Sequence, residues 1–168
     1  MTATTQTLVK LAPRLALLPI RKHNSAQARA SVLAWKTYMR QAGVVVACEL
    51  TSGEASFIVN QKFRDSEFYP VLCDPGIRTV CVDLPIAVSA QLSYPECQHP
   101  LVEYCGDRIF TGLINRHGIR SQQLPALRRF TQTFYTNREE HMCRQVRKLQ
   151  SENPLCEVLL ICGAAHLT

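Results

Sequence analysis

Four polar residues stand at or just beyond the ends of apolar runs. They are His23 after "RLALLPI" (14–20), Glu49 in "VVVACEL" (44–50), Asp83 in "IRTVCVDLPI" (77–86), and His166 after "EVLLICGAA" (157–165). Two imidazoles and a carboxylate brought to one edge of a sheet would make a suitable ligand set for a divalent metal ion. Singly, each has a plainer reading. A histidine close to a chain end is more often a surface residue than a ligand, and His23 simply follows Arg21 and Lys22. Asp83 before Leu-Pro suits the cap of a turn. Glu49 is more informative, because a carboxylate that closes a run of valines is costly to bury unless it is paired. His99, His117 and His141 stand in polar settings without partner spacing and receive no role.

That chemistry requires the apolar runs to be strands of one sheet. The run 14–20 ends at a proline and reads as a strand entering a loop. In "NSAQARASVLAWKTYMRQAG" Asn24 or Ser25 can cap a helix over 25–42. Ala28, Val32, Trp35 and Met39 then form its apolar stripe, and Gly43 its C-terminal cap. The β-branched run 44–50 suits a strand buried on both faces. Strand, helix and strand in this order make a βαβ unit with a right-handed crossover. Residues 52–76 are expected to hold a helix stopping near Pro70, and 77–84 another buried strand. Residues 87–118, rich in proline and glycine, predict loops and short helices. A helix from Pro125 with a break near Thr136 precedes a closing strand over 157–162. Helices alternating with buried strands predict an α/β fold with a mostly parallel central sheet and flanking helices. In such sheets ligands sit at the carboxyl ends of the strands.

The totals fit one domain spanning residues 1–168. Apolar stretches such as 158–165 are far below the roughly 20 residues that span a bilayer. No membrane segment is therefore expected, and a soluble, cytoplasmic chain is. Arg14 interrupts the apolar run of the N-terminal segment and no small-residue cleavage site follows. That segment is read as the approach to a first strand. The eight cysteines lie largely inside aliphatic runs and include no CxxC pair, which predicts reduced core thiols rather than disulfides or a structural zinc site. The net charge of +6 gathers at "RKH" (21–23), "LRRF" (127–130) and "CRQVRKL" (143–149). Without interleaved aromatics these clusters read as solvated faces, and nucleic acid is not the expected partner.

The order of "IRKH" (20–23), "VVVACEL" (44–50), "IRTVCVDLPIAVS" (77–89), "TNREEHMCRQV" (136–146) and "VLLICGAAHL" (158–167) resembles the TraB, pheromone-shutdown and Tiki family, within the erythromycin-esterase and ChaN-like superfamily. The family's second glycine-x-x-histidine is matched by Gly163 to His166. Its first is half matched, since Ile20 replaces the glycine while His23 remains. The resemblance covers roughly residues 14–168. It implies an erythromycin esterase/ChaN-like α/β fold that continues past the second histidine, so a C-terminal segment is expected to be missing here.

The resemblance also implies a metal-dependent hydrolase, peptidase-like in Tiki-type members, acting on a peptide or small molecule. A divalent ion would be held by His23, Glu49 and His166. Arg138 would stabilise an oxyanion and Asn137 orient water or substrate. Asp83 and Glu54 are weaker candidates for a general base. The alternative is a non-catalytic peptide- or partner-binding α/β domain that has lost the active site.

Overall fold

The computed structural model describes residues 7–84 and 136–164 in full and 125–135 as backbone, so the expectations for 87–118 lie outside the described residues. The elements are β1 (Val9–Ala12), β2 (Leu15–Ile20), α1 (Ala26–Ala34), α2 (Lys36–Met39), β3 (Val44–Cys48), α3 (Ser52–Asn60), α4 (Tyr69–Leu72), β4 (Thr79–Cys81), α5 (Pro125–Glu152) and β5 (Glu157–Gly163). The chain divides into two units, residues 1–83 with 142–168, and residues 84–141. The sheet belongs to the first.

Five strands form one mixed sheet in the order β1-β2-β5-β3-β4. The pairings β2–β5, β5–β3 and β3–β4 are parallel, and β1 lies antiparallel on β2 as an exposed edge. The last strand in sequence is therefore inserted between the two that open the βαβ unit. Every residue of β3 is buried, as its unbroken apolar run requires of a strand covered on both faces.

Alternation along the strands separates two apolar layers. Ala16, Leu18, Ile20, Val44, Val46, Leu159 and Ile161 pack with α1, α2, α3 and α4 through Val32, Met39, Ile58 and Val71. On the other face Ala47, Val82 and Val158 meet Met142, Val146 and Leu149 of α5. Those three residues follow the spacing of four and three that aligns side chains along one helix stripe.

Several local expectations are revised. The helix foreseen over 25–42 is interrupted at Trp35, whose dihedrals (φ −100°, ψ 5°) leave the helical region. The stripe nevertheless faces the core, with Ala28, Val32 and Met39 in it and Trp35 packed against it. Val32 and Met39 are buried, whereas Trp35 is half-buried and packs edge-on against Tyr38 at 6.1 Å. Ser25, not Asn24, supplies the N-cap and accepts the Ala28 amide. Gly43 is no C-cap; α2 ends at Met39, and the Gly43 carbonyl accepts the amide of Glu157 at the start of β5.

Pro70 opens a short helix instead of stopping a long one, since at the first turn its missing N–H would have had no helical partner. The helix before it, α3, ends at Asn60. Helix α5 runs unbroken past Thr136, with no glycine or proline between Pro125 and Pro154 to break it. Strand β4 is shorter than 77–84 and β3 stops one residue before Glu49. None of the six described cysteines is in a disulfide, and no helix among the described residues is long and apolar enough to cross a membrane.

Asp74 joins α2 to the turn before β4. Its carboxylate accepts from Lys36 Nζ at 2.8 Å, from Arg40 Nη2 at 2.7 Å and from the Gly76 amide at 3.0 Å. The bonds from Lys36 and then Arg40 hold its carboxyl well below the ordinary 3.8. A depressed folded-state pKa stabilises the fold above the unfolded value and loses that contribution as the pH falls through the folded one. Thermal unfolding of Asp74→Asn is therefore expected to lie below that of the unaltered chain at neutral pH, with the gap closing as the pH drops beneath 3.8. For the core, Ile161→Ala is expected to cost ~2–5 kcal/mol in denaturant unfolding. Trp35→Ala should cost less than the ~3–5 kcal/mol of a fully buried aromatic.

Candidate functional site

Because β2, β5, β3 and β4 are parallel, their carboxyl ends share one edge of the sheet. Ile20 and Gly163 are register partners at the ends of β2 and β5. His23 and His166 each stand three residues beyond that pair, and His166 itself lies outside the described residues.

Glu49 follows β3 directly. Its amide donates to the Ile161 carbonyl at 2.9 Å, prolonging the β3–β5 ladder by one step. Its carboxylate Oε2 accepts the amide of Gly163. A half-buried carboxylate is thus fixed on the residue that begins the glycine-x-x-histidine segment. This is the pairing that a strand-end carboxylate requires when it leaves water.

His23 lies in the connection from β2 to α1. Ser25 shapes that turn by donating its hydroxyl to the Lys22 carbonyl at 2.7 Å while capping α1. Asn24 takes the left-handed conformation at φ 53°, which asparagine tolerates better than most residues. Both features bring His23 and the Asn24 amide onto one carboxylate, that of Glu67. His23 Nδ1 is 2.5 Å from Glu67 Oε1, and the Asn24 amide donates to Oε2 at 2.8 Å.

Glu67 is 1% exposed, whereas the His23 side chain is 42% exposed. Burial pushes the Glu67 carboxyl up, but the bonds from His23, from its own amide and from the Asn24 amide, together with the charge on His23, bring it below the ordinary 4.5. These bonds favour the carboxylate form of Glu67 over the protonated one. Phe68, also buried, stacks on the His23 ring at 6.4 Å and 20°.

The segment carrying Glu67 is held in turn by α1. Arg29 donates to the Arg64 carbonyl at 2.9 Å and to Asp65 Oδ1 at 3.0 Å. The buried Ser66 hydroxyl accepts the Phe68 amide at 3.2 Å.

The other candidates are placed as follows. Asp83 is buried two residues beyond β4, and its amide donates to the Leu50 carbonyl at 3.1 Å. Glu54 closes a capping box at the start of α3, its carboxylate accepting the Thr51 amide while Thr51 Oγ1 accepts the Glu54 amide. Asn137 and Arg138 lie half-buried on α5, within the second unit. Cys48 and Cys81 are register partners on β3 and β4. Burial, with a smaller contribution from Cys81, pushes the Cys48 thiol far up, and burial with the Glu54 charge raises Cys81. Both are packing residues rather than poised nucleophiles.

Among the described residues no group of three His, Cys, Asp or Glu side chains is gathered so as to hold a metal ion. The triad His23, Glu49 and His166 has its third member outside that set. The donor chemistry of the two described members fits such an ion. A ligating histidine ordinarily gives its other ring N–H to a carboxylate, and a ligating carboxylate is itself hydrogen-bonded. Glu67 and the Gly163 amide provide these two supports. The sequence pattern missed Glu67, which lies 44 residues from its partner in a stretch without periodicity. Its one sequence-level signal is a glutamate between Ser66 and the aromatic pair Phe68 and Tyr69.

Comparison with protein-family models, with curated proteins and with solved structures finds no match to this chain.

Gly163 is buried, so removing its acceptor leaves a backbone donor unsatisfied, at about 1–3 kcal/mol. Glu49→Ala is expected to lose stability of that order in denaturant unfolding. Glu49→Gln, whose carbonyl oxygen can still accept the amide, should lose much less.

Proposed function

We propose that the carboxyl edge of the sheet is the site of a metal-dependent hydrolase of the TraB and Tiki type, with His23, Glu49 and His166 as ligands of one divalent ion. The observation that carries this reading is the insertion of β5 between β2 and β3. It sends three parallel strand ends to one edge and ties Glu49 to Gly163. The ion would lower the pKa of a bound water and polarise a substrate carbonyl.

The chain's own residues have separate tasks in this scheme. His23 would present Nε2 to the ion while Glu67 accepts the hydrogen bond from Nδ1–H. Glu49 contributes charge that offsets that of the ion and remains anchored by the Gly163 amide. The glycine and alanines before His166 leave room for a peptide or small-molecule substrate to approach the backbone. Asp83 and Glu54 remain candidate bases.

A second reading, a non-catalytic peptide- or partner-binding domain, is favoured by one observation. His23 and Glu49 already bond to protein groups, Glu67 and Gly163. Titration of the purified chain with zinc separates the two. The hydrolase reading expects stoichiometric binding that weakens on acidification, since the histidines must be deprotonated to ligate. His166→Ala and Glu49→Gln should abolish stoichiometric binding while circular dichroism shows the fold retained. No zinc uptake by the folded, unaltered chain would overturn the metal site and leave the binding domain as the better reading.

A further inference from the structure

Among the described residues the most deeply buried carboxylate is one that the ligand set does not use. Glu67 is 1% exposed and reaches the exposed loop after β2 with both oxygens. Neither helix α3 nor helix α4 includes it. It lies in the connection between them, where Arg29, Asp65 and Ser66 fix the backbone. A charged group is expensive to hold away from water unless its partners are well placed, and its two partners are consecutive residues, His23 and Asn24.

Bonding both residues restrains the turn and the imidazole together. The Asn24 amide locks the left-handed backbone beside the ring, and the ring nitrogen is tied directly. Phe68, the next residue after Glu67, covers the ring face. One short segment thus grips the imidazole at an edge and at a face. With the Asn24 amide donating to Oε2, the other oxygen faces Nδ1 as an acceptor, so the proton between the two groups belongs to His23 Nδ1 and, in the neutral ring, the lone pair to Nε2.

We infer that Glu67 is the positioning residue of the site, holding His23 as the Nδ1–H tautomer in one ring orientation so that Nε2 is the ligating atom. The inference deepens the metal-hydrolase reading and rests on it for the identity of the ligand, a divalent cation. The tautomer is a separate claim that can be read without any metal. Supporting carboxylates of this kind are worth about 10–100-fold in metal affinity.

The test uses the full chain. In the metal-free protein, nitrogen-15 correlation spectra of the imidazoles should show His23 as the Nδ1–H tautomer. In Glu67→Gln, whose amide can donate as well as accept, that preference should diminish. Zinc affinity should fall by about 10–100-fold in Glu67→Gln, and Glu67→Asp should recover part of the loss. A spectrum with His23 as the Nε2–H tautomer in the unaltered chain overturns the inference, and this measurement needs no variant to fold. Unchanged zinc affinity and unchanged tautomer in a folded Glu67→Gln overturn it as well. Failure of the unaltered chain to take up zinc, with His23 in the Nδ1–H form, instead removes the metal reading while upholding the role of Glu67 toward the ring.

Discussion

The rest of the structure depends on β5 being hydrogen-bonded along both of its edges. Its neighbours β2 and β3 are far from it in sequence, and only by accepting β5 between them do they become one sheet. A strand in that position has no free edge, and its apolar side chains are covered by α1 to α4 on one face and by α5 on the other. Unpaired backbone in such an interior is prohibitively costly, so the register is narrowly defined. From the register follows the level at which each strand ends, and so which polar residues reach the shared edge.

Two carboxylates at that edge show how the fold and the site constrain one another. Glu49 accepts a buried amide at the end of β5, which makes it a structural acceptor as well as a candidate ligand. Glu67 is buried beneath a histidine and an asparagine, and its placement requires the α3–α4 connection to be anchored on α1 by Arg29. In each case the cost of removing a carboxylate from water is offset by donors that also organise the backbone around the site. Asp74 does the same at a distance from the edge, drawing Lys36 and Arg40 of α2 and its C-terminal cap against the turn before β4.

Much of the architecture was legible in the apolar runs. The segment 44–50 announced a fully buried strand because valines follow one another without polar relief, and β3 is buried at every residue. The 25–42 stripe announced a helix but not its interruption at Trp35, because a spacing of three and four is compatible with two short helices in series as well as one long one. Pro70 is ambiguous for a related reason, as proline ends helices in their interior and begins them at the first turn. The short edge strand β1 was not separated from the segment leading into β2, since its four exposed residues carry no alternation of burial to report.

The sequence by itself determined the class of fold, the parallel sense of the main strands and the polar residues at their ends. The first two follow from unbroken apolar runs alternating with helical stripes, and the third from the residues that close those runs. The sequence also set the free state expected of the core cysteines, through their placement in aliphatic runs. Only the tertiary structure decided that β5 lies between β2 and β3, that Glu49 holds the Gly163 amide, and that Glu67 holds His23. Those are pairings across 44 residues or more. Local pattern carries no information about them, because a carboxylate's partner is chosen by which donors the folded chain brings within about 3 Å of it in a place water cannot reach.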